Sequence, residues 1–146
     1  MNHITVLEES IRNKHQENWH IFLTLQKMLV ESHFDWLSLN LNSKNKTLYG
    51  SGLLNINGKN YTIILMYSPF NKYRYDRIFI KDPPIKYHRD IHLYSDHSLC
   101  LYHPKVDQAL IQKIPLVKMI PWISEWIVFY LQWKKYAVWL GKEIKH

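Results

Sequence analysis

The sequence has only one cysteine, Cys100, among 146 residues. A single thiol cannot form an intramolecular disulfide, so packing, metal ligation, redox sensing and nucleophilic chemistry remain as roles for Cys100. The sequence also lacks a charged segment followed by a signal-type apolar segment, and no uninterrupted apolar run reaches about 18 residues. These absences argue against secretion and membrane spanning, and we expect a cytoplasmic protein.

The composition is that of a globular domain. Apolar residues make up 47% and aromatic residues 14% of the chain, enough to bury a core without disulfides or metals. No internal repeat, low-complexity segment or linker divides it, so we predict one domain over residues 1–146. The formal charge is +7, but the basic residues are scattered, which favours a solvated surface over a nucleic-acid footprint.

An amphipathic helix is predicted at the N-terminus. Thr5-Val-Leu-Glu8 has the form of a capping box, which marks a helix start. Apolar side chains then follow at near-helical spacing to about Glu31. They are Leu7, Ile11, Trp19, Phe22, Leu25 and Leu29.

Between residues 34 and 80 the spacing of the apolar residues changes from the helical period to about two, the period of a strand. Leu37, Leu39 and Leu41 alternate with polar residues, which is typical of a half-buried strand. Asn57-Gly58 readily adopts the positive φ angles of a tight hairpin turn. Pro69 should end the third strand, and residues 77–80 provide a short fourth. The pattern predicts an antiparallel meander of four strands.

Two consecutive prolines mark the end of the strand region. Asp82-Pro83-Pro84 forces the chain out of regular structure, because proline has no N–H donor and restricts the residue before it. We therefore predict a loop up to Pro104. Beyond Pro121, aromatic residues recur at intervals of three and four and predict a helix with an aromatic core face. They are Trp122, Trp126, Phe129, Tyr130 and Trp133.

Local residues suggest two binding functions, a zinc site and a nucleic-acid site. Four histidines flank Cys100, and imidazole and thiolate are both good zinc ligands. No cysteine pair or HExxH helix accompanies these histidines, which are His88, His92, His97 and His103. We predict no metal and no cofactor.

The segment Lys72-Tyr73-Arg74-Tyr75 interleaves basic and aromatic residues, which could bind nucleic acid. No RNP, KH or helix-turn-helix signature is present, so an exposed turn is the simpler interpretation.

Cys100 is ambiguous when judged by its neighbours. Leu99 and Leu101 flank it, and a lone cysteine in such surroundings is most often a small buried hydrophobe. Spacing alone leaves both burial and catalysis open.

A wider pattern resembles a known family. The order of helix, meander, proline-marked exit, histidine-containing loop, Leu-Cys-Leu and closing helices is similar to that of ubiquitin-conjugating (UBC-like) enzymes, particularly bacterial ones. About the last 65 residues resemble the bacterial pattern closely. The matching residues are Asp82, Pro83, His92, Tyr94, Asp96, Leu99, Cys100, Leu101, Tyr102, Pro104, Trp122, Trp126, Tyr130, Trp133, Trp139, Gly141 and His146.

The resemblance implies an α+β UBC-like fold, with an N-terminal helix, a four-stranded antiparallel meander, an active-site loop and C-terminal helices. It also implies that Cys100 accepts an activated C-terminal carboxylate as a thioester and passes the acyl group to an amine or another nucleophile. A protonated His92 or His97 near Cys100 would favour the thiolate.

The eukaryotic His-Pro-Asn tripeptide is missing. His92, eight residues before Cys100, stands at about the offset of that Asn and is assigned as an oxyanion donor or loop organiser. Asp96 either orients His92 or draws a proton from an incoming lysine, with a turn cap as the alternative.

The resemblance is strongest to proteins of CBASS antiphage defence operons. It implies a cGAS-like nucleotidyltransferase as acyl donor. The sequence shows no Gly-rich ATP-binding segment, so we expect a separate activating enzyme or a direct route. Two alternatives stay open: a catalytically inactive UBC-like protein-binding module, and a basic nucleic-acid-binding domain.

Overall fold

The computed structural model describes residues 3–102 and 114–139, with side chains from residue 6 onward. Two helices come first, α1 (His3–Glu17) and α2 (Trp19–His33). Four strands follow, β1 (Leu37–Asn42), β2 (Thr47–Ile56), β3 (Lys59–Tyr67) and β4 (Asp76–Asp82). A short 3-10 turn at Arg89–Ile91 precedes the last helix, α3 (Leu116–Tyr136). This α+β order confirms the predicted UBC-like layout.

The N-terminal helix differs from its prediction. A single helix to about Glu31 is wrong, because Asn18 interrupts it with ψ at 32°. The Asn18 side chain donates to the carbonyl of Lys14 (3.1 Å), a local bond that competes with regular helix geometry. The capping box is also wrong, since α1 begins at His3 and so already includes Thr5 and Glu8.

The sheet follows the predicted meander, with strands in the order β1-β2-β3-β4 and every neighbouring pair antiparallel. Asn57 and Gly58 have φ angles of 52° and 85°, as the Asn-Gly turn predicted. Strand β3 ends at Tyr67, before Pro69. Strand β4 is longer than the predicted residues 77–80 and ends where the cis Asp82-Pro83 peptide begins.

Helices α2 and α3 contribute to the core with the alternate buried residues of the strands. Leu23 and Val30 of α2 are fully buried, as are Ile63 and Leu65 of β3 and Ile78 of β4. Burial of these side chains supplies most of the favourable free energy of folding. In the part of the chain that the structure describes, no helix is long and apolar enough to cross a membrane.

The last helix begins earlier than predicted, at Leu116, and Pro121 lies inside it. Its buried face is also more aliphatic than the aromatic stripe suggested. Trp126 and Tyr130 are buried, whereas Trp122 and Trp133 are half-buried against the core. The buried residues are Leu116, Met119, Ile120, Ile123, Trp126, Ile127 and Tyr130. A further C-terminal helix would lie outside the described residues.

Gly52 in β2 is required by a close approach of the chain. A Cβ at this position would collide with the carbonyl oxygen of Trp36. We expect Gly52→Ala to lower the free energy of unfolding by about 1–3 kcal/mol, the usual cost of overpacking. Its neighbour Ser51 is exposed, so Ser51→Ala should change the free energy of unfolding by less than about 0.5 kcal/mol. Urea denaturation measures both, and equal stabilities of the two variants would contradict the close approach.

Candidate active site

The segment after β4 is a loop that folds back against the sheet. Leu93 and Leu99 form an isolated antiparallel bridge, and a tight turn between them is closed by the bond from Tyr94 N–H to the Ser98 carbonyl (2.9 Å). Leu99 N–H donates to the Ile78 carbonyl (2.7 Å), which attaches the loop to β4. The predicted loop is therefore anchored, with one 3-10 turn inside it. Its predicted end, Pro104, lies outside the described residues.

Cys100 is buried at the base of this loop, with 6% of its surface exposed. Its N–H donates to the carbonyl of His92 (3.0 Å), and its Sγ donates to the carbonyl of Tyr102 (3.2 Å). Burial raises the pKa of the Cys100 thiol to about 11, although a hydrogen bond with Tyr94 and the charge of Arg74 oppose this effect. The resting group is a thiol.

His92 joins the loop to the C-terminal helical region. Its backbone adopts a left-handed conformation, with φ at 55°. Its carbonyl accepts from the indole Nε1 of Trp126 (3.2 Å) as well as from Cys100 N–H. Its ring lies 4.8 Å from the ring of Trp139, centroid to centroid. The structure thus brings His92 to Cys100 through the backbone.

The other loop histidines pack on aromatic rings. The His97 ring stacks on Tyr87 with centroids 5.1 Å apart, and the His88 ring lies 4.8 Å from Trp133. Among the described residues, Arg74 is a cation whose charge lowers the pKa of the Cys100 thiol, a role that the sequence suggested for His92 or His97. Within residues 3–102 and 114–139, no group of three or more His, Cys, Asp or Glu side chains is arranged to hold a metal ion. His103 of the predicted set lies outside these ranges.

Asp96 organises the turn that precedes Cys100. Its Oδ1 accepts from the N–H (2.9 Å) and the hydroxyl (2.5 Å) of Ser98, the contact expected of a turn cap. Its Oδ2 pairs with Arg77 (3.4 Å) and Arg74 (3.7 Å). Partial burial alone would raise the pKa of Asp96, but the Ser98 hydrogen bonds and the two arginines together lower it. Asp96 is therefore ionised at neutral pH, and its side chain is 42% exposed.

Arg74 is a central residue that the sequence did not reveal. Its guanidinium carbon lies 3.3 Å from the centre of the Tyr94 ring, and its Nη2 donates to the Ser98 hydroxyl (3.2 Å). The exposed-turn interpretation of residues 72–75 is wrong for half the segment, because Arg74 and Tyr75 are buried. They do not form a surface for nucleic acid. Lys72 and Tyr73 are exposed while Arg74 and Tyr75 are buried, and nothing in the local sequence distinguishes the buried pair from the exposed one.

A buried carboxylate lies beneath the loop. Asp76 is fully buried, accepts a hydrogen bond from the Tyr102 hydroxyl (2.6 Å) and lies 3.7 Å from Arg74. Burial raises the pKa of Asp76, while the Tyr102 hydrogen bond and Arg74 favour its ionised form. Tyr102 belongs to the recognised motif, but Asp76 does not. Only the fold shows that they meet.

Two helices, a four-stranded meander, a loop with one cysteine and a closing helix define a UBC-like domain. A search of curated proteins found no match for the chain. Residues 26–146 match the family model of the type II CBASS E2 protein. The match covers most of the chain, which therefore belongs to this family of bacterial E2-like proteins of CBASS antiviral defence systems.

The Tyr102–Asp76 hydrogen bond should stabilise the fold. Tyr102→Phe deprives a buried carboxylate of its short donor, and we expect the free energy of unfolding to fall by about 1.5–3 kcal/mol at neutral pH. The loss should shrink as the pH falls through the pKa of Asp76, because this bond favours the ionised form. Urea denaturation at several pH values measures the effect.

Tyr61→Phe is the matched control. The Tyr61 hydroxyl is also buried but has no hydrogen-bond partner among the described residues. Its removal should leave stability unchanged or increase it. Equal losses in the two variants would show that the Tyr102 hydroxyl contributes no specific bond.

Proposed function

We propose that this chain is a single-domain, cytoplasmic acyl carrier that forms a thioester through Cys100. The acyl donor is the C-terminus of a cGAS-like nucleotidyltransferase, and the acceptor is an amine or another nucleophile. The observation that carries the proposal is the position of Cys100 on a loop attached to β4, within a chain of the CBASS E2 family.

The chemistry needs two acyl transfers. The Cys100 thiolate attacks the activated carboxyl carbon, the C–S bond forms and the activating group leaves with its electron pair. A lysine amine then attacks the same carbon, loses a proton and displaces the thiolate as the amide forms. The carboxylate is activated either by a separate enzyme or by a direct route. Asp96, ionised and partly exposed, is the proposed acceptor of the amine proton.

Four backbone amides of the loop are engaged in this conformation, which favours a side chain as the oxyanion donor. The N–H groups of His97, Ser98, Leu99 and Cys100 already donate to protein acceptors. An oxyanion hole built from these amides would require the loop to open. His92, which contacts Cys100 through its carbonyl, is the proposed oxyanion donor or loop organiser.

The inactive protein-binding module is the second candidate. Its supporting observation is the burial of Cys100 with a pKa of about 11, which leaves a thiolate fraction on the order of one in ten thousand at pH 7. An active enzyme must therefore expose or stabilise the thiolate when the donor binds. The burial of Arg74 and Tyr75 argues against the nucleic-acid alternative.

A direct test is incubation of the chain with its CBASS operon partners. The wild type should form an adduct with the nucleotidyltransferase that thiol reductants cleave. Cys100→Ser should form a reductant-resistant ester or none, and Cys100→Ala should form none. Denaturing gels with and without reductant, followed by mass spectrometry, measure this outcome. Absence of any adduct would support the inactive module.

Two substitutions distinguish a role of the His92 ring from a role of its backbone conformation. Removal of an oxyanion donor typically costs about 3 kcal/mol, roughly a hundredfold in rate. His92→Ala should therefore slow single-turnover transfer from Cys100 by about that factor.

His92→Gly is the matched variant, because glycine accepts the φ of 55° while it also lacks the ring. If the ring is the donor, both variants are slow. If the backbone conformation matters, His92→Gly transfers at close to the wild-type rate while His92→Ala stays slow. Undiminished transfer by His92→Ala would refute both roles.

A further inference from the structure

Tyr94 and Cys100 converge on one acceptor. The Tyr94 hydroxyl lies 3.5 Å from the carbonyl oxygen of Tyr102, and the Cys100 Sγ lies 3.2 Å from the same atom. Tyr94 also hydrogen-bonds to Cys100 directly. While Cys100 is a thiol, its S–H donates a hydrogen bond to the Tyr102 carbonyl oxygen. Once the proton has left, the thiolate faces the lone pairs of that carbonyl and needs a donor in its place.

The ring of Tyr94 is held by a cation. The Arg74 guanidinium carbon lies 3.3 Å from the ring centre, a cation–π contact. Arg74 is in turn fixed by the Ser98 hydroxyl and by Asp76. A positive charge on the ring face makes the phenol hydroxyl a stronger donor. Among residues 3–102 and 114–139, the charge of Arg74 favours the Cys100 thiolate and that of Asp76 opposes it.

We propose that Tyr94, positioned by Arg74, is a catalytic residue whose hydroxyl donates the hydrogen bond that stabilises the Cys100 thiolate. The inference rests on the proposed function, because it concerns the same nucleophile. Solvent hydroxide takes the Sγ proton and becomes water, and the Tyr94 O–H, which is near both the Tyr102 carbonyl and the sulfur while Cys100 is a thiol, then donates to the sulfur. Burial raises the pKa of Tyr94 well above its ordinary value, so its hydroxyl keeps the proton that it donates.

The test measures the thiol without any partner protein. Iodoacetamide alkylation of Cys100 is followed by mass spectrometry between pH 7 and about pH 12.5, with circular dichroism at each pH to select the range in which the protein stays folded. In the wild type the rate should rise about tenfold per pH unit and level off near the thiol pKa of about 11. Tyr94→Phe keeps the ring on Arg74 but removes the donor. We expect it to react about tenfold more slowly at pH 8, with its midpoint raised by about one pH unit.

Tyr87→Phe is the matched control, since Tyr87 lies on the same loop and stacks on His97. Its alkylation profile should match that of the wild type. A change in access to Cys100 alters the rate by the same factor at every pH, whereas loss of the donor moves the midpoint. An unmoved midpoint in a folded Tyr94→Phe variant would overturn the inference.

If Tyr94→Phe does not fold, 3-fluorotyrosine at position 94 gives the opposite test. Its more acidic hydroxyl is a stronger donor, so alkylation at pH 8 should be severalfold faster, and an unchanged rate would overturn the inference. The proposed function fails independently, if no operon protein forms an adduct with Cys100. A shifted alkylation midpoint would still support the Tyr94 hydrogen bond in that case.

Discussion

The hydrogen bond between Tyr102 and the buried carboxylate of Asp76 is the contact on which the site depends. Asp76 opens strand β4, and Tyr102 lies two residues after Cys100, so this bond and the Leu99–Ile78 backbone bond fix both sides of the cysteine to one strand. A fully buried carboxylate is costly unless it is paired and hydrogen-bonded. Tyr102 donates to Oδ1 of Asp76, while Oδ2 has no hydrogen-bond partner among the described residues and is compensated by the charge of Arg74 at 3.7 Å. The same arginine contacts the ring of Tyr94.

The anchored loop creates a conflict between stability and reactivity. Hydrogen bonds at the N–H and Sγ of Cys100, together with its burial, hold the thiol in a defined place but raise its pKa. A nucleophile of this kind is reactive only when a donor or a cation compensates for desolvation. Arg74 and Tyr94 provide both within the resting structure. A second contribution would come from opening of the loop when a partner binds.

The aromatic residues of the C-terminal region connect the core to this loop. Trp126 is buried in α3, yet its indole N–H reaches the His92 carbonyl, and Trp139 places its ring on the His92 ring. These tryptophans therefore contribute to the core and also hold the residue that pairs with the Cys100 backbone. Interpreting Trp126 only as a core residue was incomplete.

Local chemistry in the sequence determined much of the fold. Alternation of Leu37, Leu39 and Leu41 and the Asn57-Gly58 turn predicted the meander, because strand period and positive φ depend on near neighbours. The long motif around Cys100 indicated the family. The division of the N-terminal helix at Asn18 was missed, since helical spacing of apolar residues continues through it.

Tertiary structure alone decided the electrostatics of the site. Arg74 and Asp76 lie more than twenty residues before Cys100, and no local pattern shows that the loop folds back onto β4. Burial, which sets the pKa of the thiol, is a property of packing between distant segments. The sequence therefore determined which residue carries the thiol, while the fold determined which residues surround it and how readily it ionises.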